Sequence, residues 1–138
     1  MEMTLKTKIG LWMGRGIATI FAILEARGCY KHYTTEDWPA HAQFHSLTGL
    51  SYYIAVVIAL WAITGKPFRD RQKWAWWAIP LTGVFVHGSM LVIDHFNEGL
   101  RGGGTSQGSG MMFWKLAILA FVLYQVAAFL TRDHFKEG

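Results

Sequence analysis

Histidines and carboxylates that could bind a metal ion or transfer protons recur at a few positions of this 138-residue sequence. The segment 38–45 reads WPAHAQFH, and a helix that begins at Pro39 would carry His41 and His45 at positions i and i+4. Two imidazoles with this spacing lie on one helix face and can bind the same ion, as they do in helical zinc motifs. This octapeptide is therefore the first candidate for a ligand-bearing element.

Other ionisable residues are expected at the same depth as the octapeptide. His87 and Asp94 are seven residues apart and would share a helix face, while His95 would lie about 80° around the helix from His87. Glu25 stands at the end of an apolar stretch. The predicted catalytic groups are Glu25, His87 and Asp94. The predicted metal ligands are Glu25, His41, His45, His87, Asp94 and His95.

Nitrogen and oxygen donors without thiolates suit zinc, iron, copper or manganese, and the sequence does not choose among these metals. The single cysteine, Cys29, excludes an intramolecular disulfide and any cysteine-based zinc or iron–sulfur site built by one chain. A metal at this site would activate water or polarise an oxygen of a substrate that arrives from the membrane. The expected function is therefore that of a membrane-embedded metal-binding enzyme acting on a lipid-like or other hydrophobic small molecule.

Three alternatives remain open from the residues alone. A metal-free isomerase could transfer protons through a histidine and a carboxylate, because the pKa of histidine lies near neutrality. His41 or His45 together with His87 could instead ligate a haem b for electron transfer to or from a quinone. The chain could also be a non-catalytic subunit of a larger membrane complex, or form a homo-oligomer.

The elements that must position these residues are apolar enough to lie in a membrane. Hydrophobic residues make up 52% of the chain and charged residues only 16%, against about 25% in soluble domains. Four stretches approach the length of about 20 residues that crosses a bilayer, at about 9–26, 44–64, 74–93 and 111–130. The sequence therefore predicts an all-α integral membrane four-helix bundle that forms a single domain over 1–138.

Charged residues differ between the two sides of these predicted spans. Basic residues gather around both termini and the 65–73 connection, whereas acidic residues gather near 25–37 and 94–98. The positive-inside rule places both termini in the cytoplasm. The connections 28–40 and 99–110, and the site itself, would then face the periplasm across the inner membrane of a bacterium. The net charge of +4 is explained by this topology, and no basic stripe with interleaved aromatic residues indicates nucleic-acid binding.

The octapeptide at 38–45 resembles that of a group of small multi-span bacterial membrane proteins carrying a W-P-x-H-A-x-F-H signature. This resemblance covers eight residues and implies no particular activity. Arg15, Glu25 and the polar segment that follows are also similar to small four-span DoxX-like proteins. The sterol-isomerase bundles of the EXPERA type offer a further analogy, because they transfer protons through membrane-buried histidine and acidic residues. Their His-x-x-x-Glu pattern is not reproduced here, since position 45 is a histidine.

Overall fold

The computed structural model describes residues 3–35, 40–89, 92 and 109–136, and it leaves out the side chains of 32, 35, 40–46 and 109–114. Nearly all of these residues are helical, and no strand occurs among them. The all-α prediction is therefore confirmed. The helices are α1 (Leu5–Thr35), α2 (Ala40–Ile63), the single turn α3 (Lys66–Arg69), α4 (Lys73–Thr82) continued by a π-helix (Gly83–Gly88), and α5 (Ser109–Thr131) followed by a 3₁₀ turn (Arg132–Phe135).

Three helical segments are long and apolar enough to cross a membrane, namely Leu5–Lys31, Leu47–Arg69 and Lys115–Phe135. They correspond to the first, second and fourth predicted spans, and they fit a membrane protein. The third predicted span is helical from Lys73 to Ser89. Most of its remaining residues, up to 93, lie outside the described part of the chain, so its crossing of the bilayer stays a prediction, as does the orientation of the termini.

Large apolar side chains on the outside of the structure support a lipid environment. Phe85 is 70% exposed, Ile58 64% and Phe129 64%. In water, so many exposed apolar side chains would form a surface prone to association. In a bilayer the same side chains contact lipid tails at no cost.

The first helix extends further than the apolar stretch that predicted it. Residues 28–35, expected to belong to a polar connection, are the last two turns of α1. No proline occurs in this segment until Pro39, and a single glycine such as Gly28 does not end a helix. At 1.5 Å per residue, the 31 residues of α1 span about 46 Å, which exceeds the hydrocarbon core of about 30 Å.

The α1 helix is central to the packing, since it lies against both α2 and α5. The α4 segment and its π-helix also pack on α5, whereas α2 makes a smaller contact with α4. Small residues allow α1 and α5 to approach closely. A Cβ atom on Gly10 would lie only 2.8 Å from the carbonyl oxygen of Ala127 and 2.8 Å from Leu130 Cβ. Membrane helices depend on such close backbone contacts, because lipid tails are as apolar as the helix surfaces.

Replacing Gly10 with alanine should therefore destabilise the protein by about 1–3 kcal/mol, because the added methyl group overpacks the contact between α1 and α5. Thermal unfolding in detergent, followed by tryptophan fluorescence, measures the effect. Gly16→Ala is the matched control, since a Cβ at Gly16 meets nothing within 4 Å. This control should be neutral or slightly stabilising, because alanine is the better helix former. Equal effects of the two substitutions would contradict the predicted close contact.

Candidate functional site

His87 is buried at the centre of the packed helices. The residue is 1% exposed. Neither ring nitrogen has a hydrogen-bond partner among the described residues. A buried polar group without a partner costs about 1–3 kcal/mol by mutational data, so such groups are rare and call for an explanation.

Aromatic rings from three other helices surround this imidazole. Phe21 of α1 packs edge-on, with a centroid distance of 4.5 Å. Tyr124 of α5 is stacked at 5.6 Å, and Tyr53 of α2 lies at 6.5 Å. The helices α1, α2 and α5 therefore meet the π-helix at His87, the histidine that the sequence places deepest within a predicted span.

The segment that carries His87 is a π-helix that follows Pro80 of α4 by three residues. Side chains hydrogen-bond to carbonyls next to and within this π-helix: Gln125 Nε2 donates to the Pro80 oxygen at 3.4 Å, and the Ser89 hydroxyl donates to the Phe85 oxygen. Single π-helical turns within α-helices occur frequently at functional sites.

A close approach at Gly83 sets the position of α5 against this π-helix. A Cβ atom at Gly83 would lie 2.7 Å from Tyr124 Cβ and 3.1 Å from Gln125 Nε2. Only a residue without a side chain allows the two backbones to come this near. The contact brings Tyr124 alongside His87, which follows Gly83 by four residues in the π-helix.

Glu25 lies in the same half of the structure as His87. A Cβ atom on Gly49 of α2 would be 4.0 Å from Glu25 Oε1, so the carboxylate faces α2. The same helix carries Tyr53, whose ring centroid lies 6.5 Å from that of His87. By the helical rise, Glu25 is about 30 Å along α1 from Leu5 and therefore far from the end where the chain begins.

The remaining predicted site residues are placed only in part. Positions 41 and 45 both lie in α2, which begins at Ala40 directly after Pro39, so the expected i, i+4 relation holds along its backbone. Position 45 is one turn from Gly49, which faces Glu25. The side chains of His41 and His45 lie outside the described part of the chain, and so do Asp94 and His95. Among the residues with described side chains, no group of three or more histidine, cysteine or acidic residues could hold a metal ion. The six-ligand metal site therefore stays a prediction.

Sequence reasoning missed Tyr53 and Tyr124. A signal was available, because tyrosine in membrane spans is enriched at the two interfaces and both residues lie well inside their helices. Tyr124 is also followed by Gln125, a second polar residue within an otherwise apolar segment. Polar side chains at such depth usually face the interior of a bundle rather than lipid.

The role of the Tyr53 hydroxyl can be tested by comparing its removal with removal of the hydroxyl of Tyr52. We expect Tyr53→Phe to reduce the function of the site at least tenfold, because it removes the hydroxyl group of a ring that lies 6.5 Å from the His87 ring. The adjacent Tyr52 is 70% exposed, and Tyr52→Phe should leave function unchanged. Deuterium incorporation into the substrate, the assay of the proposed function, measures both variants. If they behave alike, Tyr53 has no role in the site.

These side chains give the site a defined chemistry. An imidazole can accept and donate protons or bind a metal, the phenols can donate hydrogen bonds, and Glu25 supplies a carboxylate in the same half of the structure. No protein family, curated protein or solved structure matches this chain.

Proposed function

We propose that this protein is a membrane-embedded enzyme that transfers protons on a hydrophobic, lipid-like small molecule, with His87 as its acid/base group. The observation that carries the proposal is the buried imidazole whose two ring nitrogens have no partner among the described residues. A purely structural role would be met better by an apolar side chain. A histidine at this buried position is consistent with a reaction that needs its nitrogens.

The surroundings of His87 favour a hydrophobic substrate. Phe21, Tyr53 and Tyr124 give the imidazole apolar ring faces together with two hydroxyl groups. An apolar pocket with a few polar groups is the usual form of a small-molecule site. In an isomerisation, the neutral imidazole would remove a proton from a C–H bond, and an acid at the site would return one to another carbon.

We take a groove between α2 and the segment formed by α4 and the π-helix as the entry side for the substrate, although His87 itself does not line it. An apolar groove of about 230 Å³ opens there toward the lipid, and its lining includes Leu60, Phe85 and Val86. The last two residues directly precede His87 in the chain. Because α2 makes only a small contact with α4, separation of these helices would give a molecule in the bilayer access to the imidazole.

The second candidate function is metal-dependent. One observation favours it: α2 carries both positions 41 and 45, four residues apart, near the level of Glu25. These histidines, His87 and Glu25 would supply nitrogen and oxygen ligands, and a catalytic ion would need a further open position. Asp94 and His95 would complete the set. A haem b between α2 and His87 is the corresponding electron-transfer version, and a Soret band would identify it.

Orientation and assembly belong to the same proposal. With both termini in the cytoplasm, Glu25 and His87 would lie toward the periplasmic side of the inner membrane. A four-span bundle presents much apolar surface to lipid, so a homo-oligomer or a subunit of a larger complex is consistent with it.

Deuterium incorporation tests the proposed function whatever the identity of the substrate. Vesicles containing the wild-type protein in native lipids are incubated in D₂O, and the extracted hydrophobic compounds are analysed by mass spectrometry. An acid/base enzyme exchanges a substrate C–H proton for deuterium, so one class of compound should gain mass. His87→Leu vesicles should show no such gain.

A chelator arm separates the two candidate functions. Exchange that persists in EDTA supports the metal-free version. Exchange that EDTA abolishes, with a metal found at near one equivalent by elemental analysis, supports the metal-dependent version. If wild-type and His87→Leu vesicles give identical spectra, the proposed proton transfer is wrong.

A further inference from the structure

The end of the molecule remote from His87 carries a strong excess of positive charge. We call it the basic end; it comprises residues 3–15, 64–73 and 131–136. Its described residues include two carboxylates, Asp70 and Asp133, against nine lysine and arginine residues. Lysines already pair with both carboxylates: Lys66 with Asp70, and Lys6 and Lys136 with Asp133, each of the latter two at 2.8 Å. The positive charge of this end is therefore far from neutralised by its own carboxylates.

Arg15 is held in place by groups that carry no negative charge. Its Nε donates to Thr64 Oγ1 at 2.9 Å, and its Nη2 donates to the Thr64 carbonyl oxygen at 2.6 Å. The guanidinium also lies over the rings of Trp61, at 4.6 Å, and Trp12, at 5.5 Å. These contacts orient the group at the end of α2 and leave Nη1 without a hydrogen bond in the described structure.

A second arginine follows closely after the residue that binds the first. Arg69 of α3 is exposed, and its backbone N–H donates at 3.2 Å to the oxygen of Gly65, the residue directly after the Thr64 that holds Arg15. Neither arginine forms an ion pair with a described carboxylate. An anion at this helix end would be attracted by both positive charges, and guanidinium groups bind phosphate oxygens through parallel hydrogen bonds.

Exposed tryptophans lie at the same end of the molecule as these two arginines. Trp12 is 58% exposed, and Trp74 and Trp77 are 55% and 53% exposed at the same end of the molecule. Exposed tryptophans are enriched where a membrane meets water. Basic pockets between helix ends at this level are suited to anionic headgroups.

We propose that Arg15 and Arg69 bind the phosphate of an anionic phospholipid. The lipid tails would lie along the exposed apolar surfaces of α1 and α2, beside Trp12 and Trp61. Such a lipid would hold α1, α2 and α3 together at the basic end, so the stability of the protein would depend on the headgroup of the surrounding lipid. This site is separate from the one at His87, and either proposal can fail without the other.

Lipid titration of the purified wild-type protein in detergent tests this site. Phosphatidylglycerol should raise the midpoint of thermal unfolding by several degrees more than phosphatidylcholine does, because only the former has a net negative headgroup. Native mass spectrometry should find one retained phosphatidylglycerol per chain. Equal responses to the two lipids would overturn the proposal.

Arg69→Gln is the main variant, since Arg69 is exposed and its described hydrogen bonds are made by its backbone. It should lose the extra response to phosphatidylglycerol. Arg132→Gln is the matched control, because Arg132 is an exposed arginine at the same end and its loss changes the charge equally. The control should keep the full response. If Arg132→Gln loses as much as Arg69→Gln, the attraction is general rather than site-specific and the proposal is wrong.

Arg15→Lys adds a test of geometry, because it keeps the charge and removes the planar fork. Arg15→Lys should reduce the rise in unfolding midpoint caused by phosphatidylglycerol by more than it lowers the midpoint of the lipid-free protein. Inorganic phosphate at matched concentration distinguishes the source of the anion. A response equal to that of phosphatidylglycerol would show a soluble-anion site and overturn the lipid assignment.

Discussion

His87→Leu should preserve or raise the stability of this protein while it abolishes the proposed proton transfer. Leucine fills nearly the same volume and removes two nitrogens that have no partner among the described residues. Removing the two buried, unpaired nitrogens should raise the free energy of unfolding by up to about 2 kcal/mol. The loss of the ring contacts with Phe21 and Tyr124 offsets part of this gain. Unfolding in detergent, followed through the seven tryptophans, gives the stability, and deuterium incorporation gives the activity.

His87→Ala separates packing from chemistry at the same position. It should also abolish activity, but it leaves a cavity among the surrounding aromatic rings and should destabilise the protein by about 2–4 kcal/mol. The contrast between leucine and alanine is the informative result. If His87→Leu destabilises as strongly as His87→Ala, the imidazole holds the structure together through its nitrogens and its proposed catalytic role loses its main support.

Gly83→Ala should lower both the stability of the protein and the activity of the site. The new Cβ would lie 2.7 Å from Tyr124 Cβ, which belongs to the base of a side chain and cannot rotate away. Either the π-helix or α5 must shift, at a cost of about 1–3 kcal/mol or more. Because the shift would move Tyr124 relative to His87, activity should fall together with stability.

Gly88→Ala is the control within the same π-helix. Its Cβ would meet Phe121 at 3.7 Å, an ordinary van der Waals distance. We expect a change within about 1 kcal/mol, and in the stabilising direction, since alanine is the better helix former. Thermal unfolding of both variants in one detergent measures the difference. Similar midpoints for the two variants would contradict the close approach of α5 to Gly83.

The helices themselves could be predicted from the sequence, because apolar stretches near the length of a membrane span leave few other structures. The second helix begins at Ala40, directly after Pro39, and the last runs over Ser109–Thr131 where 111–130 was expected. The extension of α1 to Thr35 differs from the connection predicted at 28–40, because polar residues do not by themselves end a helix. A change from apolar to polar residues indicates where a helix leaves the lipid. The end of the helix itself is indicated by a helix-breaking residue such as proline.

Arg15 shows how partners escape sequence reasoning. A charged residue in a span indicates that a polar partner or the interface lies nearby, and the intramembrane cost explains why. That partner is Thr64, 49 positions away, together with the rings of Trp12 and Trp61. The end of α2 reaches Arg15 only because α1 and α2 pack side by side with this particular offset.

The sequence by itself predicted that this protein is helical, with four apolar stretches near the length of a membrane span, and that His87 lies within the third of them. The structure shows three helices among the described residues that can cross a membrane. The sequence could not determine which face of each helix points inward. In a membrane protein the lipid and the core are equally apolar, so apolar residues surround each helix and no polar face marks the outside. Only the tertiary structure decided that Phe21, Tyr53 and Tyr124 surround His87, because close contacts at Gly10 and Gly83 set how the helices rotate against each other.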